Sequence, residues 1–301
     1  MVSLLCEENA PGAPSTALSH APLHFSGVTP QIGAGANRIP QSSMSRTASP
    51  RVTFDTNVCN VIHDPHRWPD KVDPEDARKV REAIPDGRIL GFVSEATLFI
   101  ECLSFEDKLS YLAVADANGS RPSLDPRAVA RMDDVAKLGA KLLHAPLIGA
   151  EIFFDGFEWA GDDIFTGAER QQRFFDFCRP LGDLEKLTRS GEELDEKYPK
   201  TFGDTPMKGP ATWRSAFRRA WDADPDGRKR LRGAVGPMIG EWCDGLIVGS
   251  HFACGNDVFC TIDHGKTAGP SSLLHPDNRA ALRAKGITLM PPAELVSRYG
   301  L

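Results

Sequence analysis

The sequence predicts an α/β fold with a mostly parallel central sheet, and three observations lead to that prediction. Strand-like and helix-like segments alternate over residues 49–105, and the same alternation returns over residues 237–301. Between them, residues 106–236 show helical periodicity and no clear strand. Because alternating strands and helices are typical of parallel sheets covered by helices, we expect one domain in two halves, separated by a large helical insertion.

The first half contains strands one and two, each followed by helical sequence. β-Branched and aromatic residues favour a strand, and Ser or Asp favours a helix start. Pro and Gly then mark where the second of these helices ends. The predicted elements are a strand at 52–54, a helix beginning at 57–62, a helix at 74–84, a strand at 88–94 and a helix at 95–105.

The insertion and the second half follow the same rules. Over 106–236 we predict helices at 125–145, 167–181, 182–199 and 211–224. The second half begins with a long apolar helix at 237–254, which Gly255 should end. The remaining predicted elements are a strand at 257–263, a strand at 286–290 and a helix at 291–301.

Composition restricts the class of protein. The 301 residues are 41% hydrophobic and 25% charged, which is typical of soluble globular chains. Residues 1–48, rich in Ala, Pro, Ser and Gly, are predicted to be a disordered or irregular tail. The net charge of −6 gives no overall basic signature, so a nucleic-acid partner requires a local basic patch.

The cysteines and the apolar segments predict a compartment. Seven cysteines, an odd number without a CxxC pair, argue against a disulfide framework and a zinc ribbon. No apolar stretch reaches the roughly 18 residues of a membrane span. We therefore expect a cytoplasmic protein.

Four acids stand at strand ends or inside apolar helical sequence. Asp55 ends the first strand and Asp263 ends the strand at 257–263, while Glu101 and Asp244 interrupt apolar helical runs. Ligands of an open parallel sheet bind at the carboxyl ends of its strands. Converging carboxylates repel one another unless a cation lies among them, and oxygen ligands favour Mg²⁺ or Mn²⁺.

Each acid also has a structural alternative. Asp55 has the position of a helix N-cap, and Asp263 precedes His264-Gly265 as a turn former would. Glu101 and Asp244 fit the solvent edge of their helices. The joint pattern is more specific than any one of the four.

These motifs resemble the PIN domain, a family of Mg²⁺/Mn²⁺-dependent ribonucleases that includes VapC-like toxins of toxin–antitoxin pairs. The resemblance is carried by "FDTN" around Asp55, by the acid-bearing helix after strand two, and by "CDGLIVGSHFACGNDVFCTID" with Asp244 and Asp263. His251 stands where the family usually has Ala. The resemblance covers roughly residues 51–105 and 237–301. It implies a three-layer α/β/α fold, with Asp55, Glu101, Asp244 and Asp263 as catalytic metal ligands.

The second acid has two candidates. Glu95 and Glu101 are about 240° apart around a helix, so they do not share a face. Glu95 has a plain role at the helix N-terminus. Glu101 has none and matches the family's position about two turns in, so we choose Glu101.

The resemblance also implies a mechanism and partners. It implies metal-assisted hydrolysis of RNA phosphodiesters, with Thr56, Asn57 and Thr261 as donors that orient a carboxylate or a water. Partners would be an RNA substrate, an inhibitory antitoxin-like protein and a second copy in a homodimer, with no membrane. The RNA target, the metal count and a toxin role stay open.

Substrate contacts are predicted from the densest basic segment of the chain. Its candidates for gripping phosphate are Arg214, Arg218, Arg228, Lys229 and Arg230. The alternative is a solvated helix face balanced by nearby aspartates.

Two other functions compete with a nuclease. One is a non-catalytic PIN-like scaffold that binds RNA or protein, although the presence of all four acids argues against lost activity. The other is a phosphatase of the haloacid dehalogenase type. That family needs an acid two residues after its nucleophile, where this chain has Asn57.

Overall fold

Six parallel strands form the sheet on which the protein is built, in the order β4-β3-β2-β1-β5-β6. The computed structural model describes residues 49–104, 108, 124–146, 156–178, 228–265 and 272–301. The strands are β1 (Arg51–Phe54), β2 (Leu90–Ser94), β3 (Lys141–Leu143), β4 (Glu158–Trp159), β5 (Val258–Cys260) and β6 (Leu289–Met290).

Eight α-helices lie in the described part of the chain, and all of its residues fall in one compact unit. Helices α1 and α2 connect β1 to β2, and α5 packs along α6. The helices are α1 (Thr56–His63), α2 (Pro74–Ala83), α3 (Glu95–Cys102), α4 (Pro126–Lys137), α5 (Gly167–Cys178), α6 (Arg228–Cys254), α7 (Arg279–Ala284) and α8 (Pro292–Tyr299).

Strand β1 lies inside the sheet and is covered on both faces. The side chains of Val52, Thr53 and Phe54 are all completely buried, although successive side chains of a strand point to opposite faces. Such burial is typical of parallel sheets with helices on both sides. The general α/β prediction is confirmed.

The chain leaves β1 toward β2 on one side and later returns to β5 on the other side. This reversal makes the carboxyl edge of β1 and β5 a topological switch point, where open α/β sheets bind ligands. Phe54 is paired with Cys260 in the register of the two strands. The condition that Asp55 and Asp263 follow neighbouring strands is therefore met.

The prediction of a purely helical insertion over 106–236 is wrong. Strands β3 and β4 lie within it and extend the sheet beyond β2. The predicted helix 125–145 is instead α4, a turn and β3. Gly139 has φ 97°, which ends the helical path, and the apolar pair Leu142–Leu143 then pairs with β2.

The other predicted elements lie at or near their expected places, with different ends. Helix α6 begins at Arg228 rather than at Pro237, and Gly255 follows its end with φ 64° as expected. The tail at 1–48 and the helices predicted at 182–199 and 211–224 lie outside the described residues. No described helix is long and apolar enough to cross a membrane.

Candidate functional site at the carboxyl edge of β1 and β5

Asp55 and Thr261 meet where β1 and β5 end. The backbone N–H of Asp55 donates to the carbonyl of Cys260 over 2.9 Å, continuing the ladder between the two strands. The Thr261 hydroxyl donates to Asp55 Oδ2 over 2.7 Å. The same hydroxyl accepts the backbone N–H of Asp263 over 3.0 Å, so one side chain holds both acid-bearing segments together.

Asp55 is nearly completely buried and also caps helix α1. Its Oδ1 accepts the backbone N–H of Thr56 over 2.7 Å, so the N-cap alternative describes a real contact. The pKa of Asp55 is raised to about 6: burial is the largest cause, the charges of Asp263 and Glu101 add to it, and the hydrogen bonds from Thr261 and Thr56 oppose it. Three of the four predicted acids, Asp55, Asp263 and Glu101, therefore interact electrostatically.

Asp263 shapes a tight turn while remaining only partly buried. Its Oδ1 accepts the backbone N–H of Gly265 over 2.7 Å, and Gly265 has φ 62°. A Cβ at Gly265 would collide with the backbone of His275. The turn alternative is therefore realised as well, and it fixes the Asp263 carboxylate near the end of β5.

Glu101 is the acid of α3 whose charge raises the pKa of Asp55. Its Oε2 accepts Nη2 of Arg131 over 2.9 Å, and both side chains are mostly buried. Lys108 also lies close enough for Glu101 to raise its pKa, although burial lowers that pKa more strongly. Glu101 is thus paired with Arg131, a cation of the protein itself.

Asp244 lies half-buried on α6, the helix that packs against α3. The rings of Phe99 and Trp242, each two residues before its acid, meet edge to face at 6.2 Å between centroids. Burial is the main cause that raises the pKa of the Cys243 thiol, and the charge of Asp244 is the second. The helix pair therefore carries Glu101 and Asp244 as the sequence predicted, on two elements that touch.

The donors predicted to orient the acids have different surroundings. Thr261 contacts Asp55 directly, while Thr56 does so through its backbone N–H. The buried Thr56 hydroxyl has no hydrogen-bond partner among the described residues. The Asn57 side chain is half-exposed, and the described residues offer it no hydrogen bond.

The donor set suits a hard cation in its chemistry, but the side chains are not gathered closely around one point. Its members are carboxylate and hydroxyl oxygens, which Mg²⁺ and Mn²⁺ prefer, and one of them is the unpartnered Thr56 hydroxyl. Within the described residues, however, no group of three or more His, Cys, Asp or Glu side chains is close enough to hold a metal ion.

The predicted phosphate-gripping residues are mostly beyond the described part of the chain. Arg214 and Arg218 lie outside it, and Arg228, Lys229 and Arg230 belong to the first turn of α6 with side chains that are not described. Their role stays a prediction.

A second buried carboxylate lies at the same edge of the sheet. Glu95 is completely buried at the start of α3. Its Oε2 accepts Nδ1 of His144 over 2.8 Å and the backbone N–H of Ala145 over 2.8 Å. Glu95 is therefore bound to the residues after β3, whereas the charge of Glu101 raises the pKa of Asp55. The choice of Glu101 as the second acid stays a prediction.

His144 and Arg131 are absent from the sequence predictions. His144 was placed inside a long helix, and reading Gly139 as a helix stop would have put it directly after a strand, at the ligand-binding edge. No local signal marks Arg131, because its pairing with Glu101 depends on how α4 packs against α3.

Comparisons with known proteins give this chain no relative: no family model, no curated protein and no solved structure matches it.

Proposed function

We propose that this protein is a metal-dependent phosphodiesterase, and more narrowly an RNA-cleaving nuclease with a PIN-like three-layer fold. The observation that carries the proposal is Asp55, a buried carboxylate at the switch point of the sheet whose pKa is raised by burial and by two further acids. Acids that raise one another's pKa repel each other when ionised, and a divalent cation bound near Asp55 would offset that repulsion.

The ligands of that cation would be Asp55 and Asp263, joined by Asp244 and Glu101. Mg²⁺ or Mn²⁺ would supply a bound water of lowered pKa and would offset charge that grows on a phosphate. Thr261 fixes the rotamer of Asp55 and the position of the Asp263 backbone through its two hydrogen bonds. Helix α1 begins directly at Asp55, so the positive end of its dipole also favours an anion there.

One observation favours the alternative of a non-catalytic scaffold. Arg131 is bonded to Glu101, and a guanidinium beside the acids neutralises part of the charge that a metal would otherwise balance. A protein built to bind RNA or a partner protein without cleaving would retain this ion pair. A nuclease would tolerate it only if Asp55, Asp263 and Asp244 bind metal without Glu101, or if Glu101 exchanges Arg131 for the metal.

An RNA cleavage assay separates the two functions. Labelled single-stranded RNA is incubated with the wild type in EDTA, Mg²⁺ or Mn²⁺, alongside Asp55→Asn and the exposed control Asp86→Asn. The nuclease predicts metal-dependent cleavage that Asp55→Asn abolishes and Asp86→Asn retains. Binding without cleavage under every condition would support the scaffold, and cleavage that survives Asp55→Asn would refute the proposed site.

The partners implied by the resemblance stay predictions. An inhibitory antitoxin-like protein and a homodimer are tested by co-purification and by light scattering.

A further inference from the structure

A pocket of about 370 Å³ lies beside the carboxyl end of β3. Its walls come from β3, β4, α5 and the end of α6, away from the acids around Asp55. This volume is within the usual range for small-molecule sites. The lining includes Leu142, His144, Trp159, Arg170, Gln171 and Phe174.

His144 is held in one orientation at this pocket. The Oε2 atom of completely buried Glu95 accepts the Ala145 N–H and lies 2.8 Å from His144 Nδ1. Because a carboxylate oxygen accepts hydrogen bonds, the hydrogen is assigned to Nδ1. The His144 side chain is 50% exposed, and Nε2 has no hydrogen-bond partner among the described residues. Glu95 therefore leaves the other edge of the imidazole for a ligand.

Trp159 forms an aromatic wall next to His144. The two rings have centroids 6.0 Å apart and an interplanar angle of 70°, and Trp159 is 42% exposed. A tryptophan exposed to this degree at a pocket offers a large apolar face to a flat ring. Leu142 and Phe174 line the pocket with apolar side chains that are buried in the fold.

Arg170 and Gln171 make one side of the pocket polar. Arg170 donates to the Gly161 carbonyl over 2.5 Å and pairs with exposed Asp162 over 2.6 Å, which fixes the guanidinium. The Gln171 side chain is exposed and has no partner among the described residues. A fixed guanidinium is suited to a phosphate, and an amide is suited to the donor–acceptor edge of a base.

We propose that this pocket binds one nucleotide, with its base against Trp159 and His144 and its phosphate toward Arg170. The register of the sheet connects the pocket to the acids. If the pairing of β1 with β2 is continued by two residues, Asp55 lies opposite Ser94, which is itself paired with Leu143 of β3. His144 is thus at the same edge as Asp55, two strands or about 10 Å away.

Two sources of a nucleotide share this chemistry: a free mononucleotide and one residue of a single-stranded RNA. RNA as the source rests on the function proposed above, because one strand would then cross both sites. The binding step itself does not depend on cleavage.

Binding is measured in EDTA, so that cleavage cannot interfere. The probes are the four ribonucleoside monophosphates, inorganic phosphate and a labelled eight-residue RNA, titrated by calorimetry and fluorescence anisotropy. Trp159→Ala and His144→Gln test the pocket, and Leu90→Ala and His66→Ala are matched controls, since Leu90 is 43% exposed and His66 is exposed. Trp159 lies on a two-residue edge strand, so its variant is expected to fold even if the His144 variant does not.

The proposal predicts that Trp159→Ala weakens the binding of a nucleotide probe at least about tenfold, and that the controls do not. If only the mononucleotide responds, the source is a free nucleotide, and if the RNA responds, it is a residue of the strand. Unchanged affinity for every probe, or a response to inorganic phosphate alone, would overturn the proposal. If the wild type does not cleave RNA in the assay above but binds the nucleotide probes, the proposed nuclease function is refuted and the proposed nucleotide pocket is not.

Discussion

Two buried carboxylates at one edge of the sheet have opposite surroundings. Glu95, at the end of β2, is bound by the imidazole of His144 and by a backbone N–H. Asp55, at the end of the neighbouring strand β1, is bound by a hydroxyl and a backbone N–H. Two more acids raise its pKa, and no cation of the described residues contacts it.

The difference lies in the groups beside each carboxylate: an imidazole beside Glu95, and further acids near Asp55. A completely buried carboxylate is costly unless it is paired and hydrogen-bonded. Through Oε2, Glu95 accepts the Ala145 N–H and lies 2.8 Å from the His144 imidazole, while its Oε1 is buried with no hydrogen-bond partner among the described residues. Burial and the charges of Asp263 and Glu101 raise the pKa of Asp55, so an external cation would stabilise the protein there.

The largest expected effect is on catalysis. Asp55→Asn should lower the rate of RNA cleavage about a thousandfold, because loss of a metal ligand removes several kcal/mol of transition-state stabilisation and each 1.4 kcal/mol or so is tenfold. Single-turnover cleavage with Mn²⁺ measures this. If the cleavage rate of Asp55→Asn falls less than tenfold, Asp55 is not a required metal ligand, and the functional difference between Asp55 and Glu95 is contradicted.

The second prediction concerns the paired carboxylate. Glu95→Ala should lower the free energy of unfolding by about 1–3 kcal/mol, because it leaves the buried Ala145 N–H without a hydrogen-bond partner and removes the contact to half-exposed His144. Urea unfolding followed by circular dichroism gives the value. Exposed Glu82→Ala serves as the control, and an equal small loss in both variants would show that the Glu95 pair contributes little.

The third prediction is that substitution of Asp55, unlike substitution of Glu95, increases the free energy of unfolding. In EDTA at pH 8, Asp55→Asn should raise the free energy of unfolding by up to about 3 kcal/mol, because the folded pKa of about 6 lies above the unfolded value of 3.8. Above pH 6 the wild type must keep a charge buried. Below pH 3.8 the carboxyl is neutral in both states and the advantage of Asn disappears.

Urea unfolding of both proteins at pH 8 and pH 4 tests that sign. The difference between the variant and the wild type should shrink as the pH falls through 6 to 3.8. A variant that is less stable than the wild type at pH 8 without metal would show that the charge of Asp55 is already compensated within the fold.

The smallest expected effect is at Thr261. Thr261→Val removes the hydroxyl that donates to Asp55 and accepts from Asp263, and should lower the free energy of unfolding by about 1–2 kcal/mol at pH 8. Thr261→Ser, which keeps the hydroxyl, is the matched variant. A stability loss in Thr261→Ser as large as that in Thr261→Val would show that the methyl group contributes as much as the hydroxyl, and no loss in Thr261→Val would contradict the role of the two hydrogen bonds.

The sequence was sufficient where local chemistry decides the structure. Asp55 follows a short apolar strand, and Asp263 follows another, so their places at the edge of a parallel sheet could be predicted. That β1 and β5 are neighbours depends on the order of strands in the sheet, which no local pattern contains.

The sequence was insufficient where tertiary pairing overrides periodicity. Strands β3 and β4 have three and two residues, too few to show an alternation of period two. They form because their backbone groups pair with an existing sheet edge. His144 depends on β3, so the Glu95 pair and the pocket beside it were hidden from sequence reasoning as well.

The central claim is that the acids around Asp55 bind an external divalent cation. Titration calorimetry with Mn²⁺, on wild type, Asp55→Asn and the control Asp86→Asn at pH 8, tests it most directly. The account predicts saturable binding to the wild type and to Asp86→Asn, at least about tenfold weaker in Asp55→Asn since carboxylates are the preferred ligands. Equal Mn²⁺ affinity in all three proteins, or no binding to the wild type, would contradict it.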